Sequence, residues 1–224
     1  MSSTQPSVLT REAKYLVRLK YVLFPIDFRD IRKALTRNAY ELVPIRGPIP
    51  GRPTRISWEG PVARKGETVV FYNTSIGLIG VTHKTIEEAK KGFEELAGIT
   101  EKELGINLHS NVWYYEVGTH FNIETETPPV HRMAKITAGN PYFSKFAKIL
   151  GRDVSMFSVR LTPSNVIPNQ EDYFEITIEQ DVFLANAYHI GVLFRNKKRS
   201  EIEKFSTNLE KNIWKLIDVI EERE

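Results

Sequence analysis

Residues Glu67 to Gly98, ETVVFYNTSIGLIGVTHKTIEEAKKGFEELAG, decide the fold. The run opens with β-branched and aromatic residues, breaks at Asn73 to Ser75, and resumes as the strand IGLIGVT. Thr85 then begins a helix through a capping box, its hydroxyl taking the Glu88 amide while the Glu88 side chain returns to the Thr85 amide. Ile86, Ala89, Phe93, Leu96 and Ala97 recur at helical spacing and predict a buried stripe. Gly98 predicts a left-handed stop. A similar order of elements returns between Asp172 and the C-terminus, an echo that predicts one fold made of two related halves.

Outward toward the N-terminus, Arg64, Lys65 and Gly66 make a turn between two strands within RISWEGPVARKGETVVFY. The stretch from Arg46 to Pro53 carries three prolines and two glycines and predicts a surface loop. Before it, Asp27 is a suitable N-cap for FRDIRKALTRNAYEL, with Phe28, Ile31, Leu35 and Ala39 on one face and Arg29, Arg32, Lys33 and Arg37 outward. The run from Tyr15 to Phe24 alternates as a strand, and residues 1–10 form a polar, flexible lead-in.

Outward toward the C-terminus, Thr100 and Glu103 suggest a second capping box and a brief turn ending at Gly105. A long extended run from Val112 to about Glu126 stops at Pro128 and Pro129. Two short helices follow, the second entered through Asn140 as cap and Pro141 at the first helical position. DVSMFSVRL, DYFEITIEQDVF and AYHIGVLF read as strands. The last helix starts at Ser200, partnered by Glu203, with Ile202, Phe205, Leu209, Ile213, Leu216, Ile217 and Ile220 on one stripe. Each half thus reads β-α-β-β-β-α. The expected class is α+β, two such repeats, residues 1–105 and 106–224, forming an antiparallel sheet with helices packed on one face.

With 224 residues, 41% hydrophobic and 26% charged, the composition is that of a soluble globular protein. The absence of cysteine excludes disulfides, thiolate metal sites and cysteine nucleophiles, and it fits an intracellular protein. The N-terminus lacks a signal-peptide pattern and no apolar run reaches a membrane span, so the expected location is cytoplasmic with no membrane partner. Only Gln5, Gln170 and Gln180 are glutamine, while Lys, Glu and Ile abound, a thermophilic leaning. Residues 1–65 hold 13 Lys and Arg against 5 acids, and the remainder 18 against 23. Such polarity marks either a surface for nucleic acid or an acidic partner, or a solvated face.

His120, Glu124, Glu126 and His131 lie close in the chain, but two prolines separate His131 and the spacing matches no recognised ligand set. Solvated carboxylates at a strand end are the plainer reading. His83, His109 and His189 stand alone, and phosphate-loop, GxSxG and HExxH motifs are missing. No catalytic residue, cofactor or metal is therefore assigned. Gly77 and Gly80 fit strand positions where another chain segment approaches closely.

For nucleic acid the candidates are Arg18, Lys20, Arg29, Arg32, Lys33, Arg37, Arg52, Arg55, Arg64 and Lys65, with Trp58 and Tyr72 as stacking platforms. A second cluster, Arg195, Lys197, Lys198 and Arg199, precedes the final helix. The strands after Glu67 are apolar on both faces, Val69, Phe71, Ile79 and Val81 against Val70, Tyr72, Ile76 and Leu78. An intrachain cover or a bound partner must therefore bury the second face.

The string VVFYNTSIGLIGVTHKTIEEAKKGFEEL resembles the repeat of TATA-box-binding proteins, in which two aliphatics and a Phe precede a turn, a short strand and a Thr/Ser-capped helix. The likeness covers Tyr15 to Gly98, with Asn73 to Ile76 replacing the family's Ser-Gly-Lys turn; the second half is similar in element order. The resemblance implies a concave sheet face on a DNA minor groove and a phenylalanine wedge, carried here by Phe71 or Tyr72. In the second half Glu175, Thr177, Glu179 and Asp181 alternate into an acidic row, which repels phosphate. The expected function is a non-enzymatic binding module engaging nucleic acid or a protein of a nucleic-acid complex, with nucleic acid or an acidic protein as the expected partner. A homo-oligomerising interaction scaffold is one alternative. A ligand-binding domain or enzyme using His120, Glu124 and Glu126 is another.

Overall fold

Alternation of side chains across a two-residue period builds the two longest strands, β1 (Val8–Leu19) and the later β6 (Val112–Glu124), which pair antiparallel at the middle of the sheet. The computed structural model describes residues 8–20, 26–44, 59–168 and 170–222. Between the central strands the chain makes α1 (Phe28–Arg37), β2 (Glu41–Leu42), β3 (Glu59–Lys65), β4 (Thr68–Asn73), β5 (Leu78–His83) and α2 (Ile86–Leu104). After β6 come α3 (Pro129–Thr137), α4 (Pro141–Leu150), β7 (Ser158–Leu161), β8 (Tyr173–Gln180), β9 (Ala187–Asn196) and α5 (Arg199–Glu221). The fold is α+β: among the described residues, nine antiparallel strands in the order β2-β3-β4-β5-β1-β6-β9-β8-β7, with five helices.

One face of the sheet carries the core. Tyr15 and Val17 of β1, Val70 and Tyr72 of β4, and Ile79 and Val81 of β5 meet Ile31 and Leu35 of α1 and Ala89, Phe93 and Leu96 of α2. A second cluster joins Phe121, Ile123, Ile178 and Ile190 to Met133 of α3 and Leu209, Ile213 and Ile217 of α5. The Tyr15 and Phe93 rings lie 5.0 Å apart, and Phe194 stacks on Phe205 at 4.0 Å. Each fully buried large side chain contributes roughly 1.5–3 kcal/mol, so these stripes hold the helices to the sheet.

Asp27 caps α1 by accepting from the Arg29 amide at 2.7 Å, and Asn140 caps α4 through the Tyr142 amide at 3.0 Å, both as expected. Four boundaries differ from expectation. The first helix stops at Arg37, because Ala39 turns left-handed (φ 64°) and Glu41–Leu42 joins the sheet edge beside β3. Helix α2 runs through Gly98 to Leu104, because the extra turns bury Ile99 and Thr100, and Gly105 is the left-handed cap. Only half of the Thr85 capping box forms: the hydroxyl accepts from Glu88 N at 3.2 Å while the Glu88 carboxylate turns to Lys91. The box at Ser200 does not form, since α5 begins at Arg199 and Glu203 pairs with Lys90 and Arg199. Strand β1 also starts at Val8, inside the expected lead-in, while residues 21–25 fall outside the described set.

Candidate binding face of the sheet

Residues directly opposed in an antiparallel pair project to the same side, so the register identifies the face turned away from the core. Across the sheet one row reads Phe71, Gly80, Leu16, Glu116, Arg195 and Tyr173. The next reads Val69, Thr82, Lys14, Gly118, Leu193 and Glu175. None of these residues belongs to either core cluster. Helices α1, α2, α3 and α5 supply the core side, and α4 buries none of its own residues. Among the described residues this second face therefore carries no packed helix.

On the β5–β4 flank the face is apolar. Leu16 lies over Gly80 so closely that a Cβ there would sit 2.6 Å from Leu16 Cδ2 and 2.3 Å from the Tyr15 carbonyl oxygen. Half-buried Phe71 and Val69 flank it, with Leu78 beside Arg18. The Arg18 guanidinium lies 4.0 Å above the Trp113 ring and donates to the Ile76 carbonyl at 2.9 Å. The face assignment expected for these strands is corrected here. Val70, Tyr72, Ile79 and Val81 are the core set, and Ile76 sits exposed in the turn. The Asn73 side chain organises that turn by accepting from the Ser75 and Ile76 amides, and β5 begins only at Leu78. Gly77 belongs to this turn with φ 67°, whereas Gly80 is the strand position of close approach.

On the β9–β8 flank the same face is polar. His120 and His189 stack with centroids 5.6 Å apart and planes 9° from parallel. His120 lies over Gly191, where a Cβ would meet its ring at 3.3 Å. The Glu116 carboxylate accepts from Arg195, which also donates to the Pro168 carbonyl at 2.6 Å, and Glu175 accepts from Arg160 and from the Tyr173 hydroxyl at 2.8 Å. His120, His189, Glu116 and Glu175, with Lys14, Thr177 and Glu179, border a groove of about 350 Å³. Burial lowers the His120 pKa below the ordinary imidazole value, assisted by the charges of His189 and Lys14. Burial alone would raise the Glu175 pKa, but the Arg160 guanidinium and Tyr173 hydroxyl outweigh it and hold the carboxyl low. Glu175, Thr177 and Glu179 face this side as expected; Asp181 joins the second-face residue Asn122 but is not exposed. It is buried, where it accepts from Asn122 and from the Phe183 and Leu184 amides.

The two flanks share a local pattern. Ile79-Gly80-Val81 and Ile190-Gly191-Val192 each set a glycine beneath a side chain of the neighbouring central strand, Leu16 or His120. The outer neighbour of the glycine is Phe71 in one case and Thr177 in the other.

The structure does not bring the expected basic set together. Arg18 and Arg64 lie on the second face, Arg64 paired with Glu41 at 3.0 Å. Arg29, Arg32, Lys33 and Arg37 lie on α1, on the core side. Of these, Arg32 donates to the Val43 carbonyl, Lys33 approaches Asp30 and Arg37 pairs with Glu103, while Arg29 is exposed. Lys65 pairs with Glu95, and Lys20 is exposed after β1. Tyr72 is corrected: it is fully buried in the core and its hydroxyl donates to the Ile26 carbonyl, so its ring is no stacking platform. Arg52, Arg55 and Trp58 lie outside the described residues. The cluster before the last helix divides, Arg195 joining the polar flank, Lys197 pairing with Glu171 and Arg199 with Glu94. Among the described residues no three His, Asp or Glu side chains are arranged to hold a metal ion. His120 stacks on His189 instead of meeting Glu124, Glu126 or His131. The histidine pair escaped sequence reasoning because it is set by β6–β9 register; the Gly191 in HIGVLF was its visible trace.

Compared with family models and with curated proteins, the chain matches none.

Proposed function

We propose that the chain is a non-enzymatic binding module of TATA-binding-protein-like, two-repeat architecture, and that the sheet face opposite the core helices takes a protein partner. Several features support the two-repeat reading with halves 1–105 and 106–224. Both halves order their elements alike apart from β2 and α4, and the strands run outward from the β1–β6 pair as β5-β4-β3 and β9-β8-β7. The repeated Ile-Gly-Val strand adds a residue-level parallel. The observation that carries the function is the second face itself, which among the described residues carries no packed helix and is apolar around half-buried Phe71 and Val69. Apolar surface that a fold leaves partly open tends to mark an interaction site.

Charge favours protein over nucleic acid at this face. Lys14, Arg64, Arg160 and Arg195 are each paired with a carboxylate there, which leaves few cations to neutralise phosphate. Kinking a duplex by the paired-wedge device needs an apolar residue on both flanks, and Thr177 stands where Phe71 has its counterpart. The nucleic-acid reading keeps one supporting observation, the exposed cations of α1 on the opposite side. Affinity capture from the source cells after nuclease treatment tests the proposal. A protein retained by the native chain and lost with Phe71→Asp is expected. Retention only on DNA or RNA, falling steeply with salt and indifferent to Phe71→Asp, would overturn it.

A further inference from the structure

Among the described residues, α4 is the helix whose apolar face the fold leaves outside. Its sequence, PYFSKFAKIL, sets Tyr142, Phe146, Ile149 and Leu150 along one side, with Lys145 at the edge of that stripe and Lys148 and Ser144 beyond it. In a packed helix that stripe would be core. Here Tyr142 is 64% exposed, Phe146 48%, Ile149 79% and Leu150 60%. The helix is nonetheless well formed, capped by Asn140, entered through Pro141, and separated from its surroundings by left-handed Gly139 and Gly151. No ordering penalty remains to be met when a partner covers it.

Charge identifies what covers it. From Pro129 to Phe157 there are five cations and one acid, within a part of the chain, residues 66–224, that is otherwise acidic. Arg132 is taken by Glu221, whereas Lys135, Lys145, Lys148 and Arg152 make no ion pair among the described residues. A second copy of the helix would bring like charges together. An anionic surface with an apolar interior satisfies both faces at once. Aromatic and aliphatic side chains enter the acyl boundary while the lysines stay with the headgroups, and Lys145 already folds back over the Tyr142 ring at 5.6 Å.

We propose that α4 is an interfacial helix that holds this protein on an anionic lipid surface. No spanning segment is needed, and among the described residues no helix is long and apolar enough to cross a membrane. The test is co-sedimentation of the full chain with vesicles of phosphatidylcholine alone or phosphatidylcholine mixed with phosphatidylserine. Binding to the mixed vesicles is expected, weakened by salt, and lowered about 5-fold for each lysine removed in Lys145→Gln and Lys148→Gln. The double variant Phe146→Glu with Ile149→Glu should abolish it without changing the thermal midpoint, since both side chains lie outside the core. Failure to bind the mixed vesicles would overturn the proposal. So would unchanged binding by the double variant, or a native chain that ignores vesicles and self-associates through Phe146 and Ile149.

Discussion

The β5–β4 flank and the β9–β8 flank of the sheet's second face share one glycine placement and carry opposite chemistry. In both, a glycine between Ile and Val lies under a side chain of the adjoining central strand. On the first flank that side chain is Leu16 with Phe71 beyond it; on the second it is His120 with Thr177 beyond it. Close packing constrains the glycines, against backbone atoms at Gly80 and against the His120 ring at Gly191. The residues around them differ, so a shared backbone placement does not make the two flanks chemically alike.

Substituting the two glycines should break the parallel most visibly. Gly80→Ala drives a Cβ against the Tyr15 carbonyl oxygen, a backbone atom that cannot step aside, whereas Gly191→Ala meets only a mobile imidazole. Urea unfolding should show a loss of about 3 kcal/mol for Gly80→Ala and about 1 kcal/mol or less for Gly191→Ala. Equal losses would mean that the flanks are not packed as described. A smaller effect follows on the polar flank. Glu116→Ala leaves the Arg195 guanidinium without its carboxylate, held by the Pro168 carbonyl and the Tyr114 and Tyr173 rings, and should cost about 1–3 kcal/mol. If Glu116→Ala is neutral, the ion pairs of this flank are ornamental and the face is freer to take phosphate.

The pH dependence should be smaller still and confined to the polar flank. The folded His120 has a pKa below its ordinary value of 6.5, so the unfolded chain binds more protons as pH falls through and below that value. The contribution is therefore fully present above about 6.5 and lost as pH falls toward the lowered folded pKa. Denaturation midpoints measured across that window should slope less for His120→Gln than for the native chain. An identical slope would assign the dependence elsewhere.

Much of this was legible in the residues. Period-two alternation located the strands, the caps Asp27 and Asn140 fixed two helix starts, and the α2 and α5 stripes anticipated Ala89, Phe93, Leu96, Ile202, Leu209, Ile213 and Ile217 as core. What failed were readings in which local chemistry competes with tertiary packing. Gly98 is a good stop signal, yet continuing the helix buries Ile99. Glu203 is a good capping partner, yet Lys90 lies within 2.7 Å. The candidate site was harder, since which of Phe71 and Tyr72 faces the core depends on the length of the Asn73 turn, and the His120–His189 stack depends on pairing between strands far apart in the chain.

The central claim is that the apolar flank, and not its polar counterpart, receives a protein partner. The most direct measurement is the affinity of the captured partner for Phe71→Asp and for Thr177→Asp, with unfolding midpoints recorded for both. Loss of binding with Phe71→Asp and near-native binding with Thr177→Asp is predicted. Equal affinities for the two variants, or loss confined to Thr177→Asp, would contradict it.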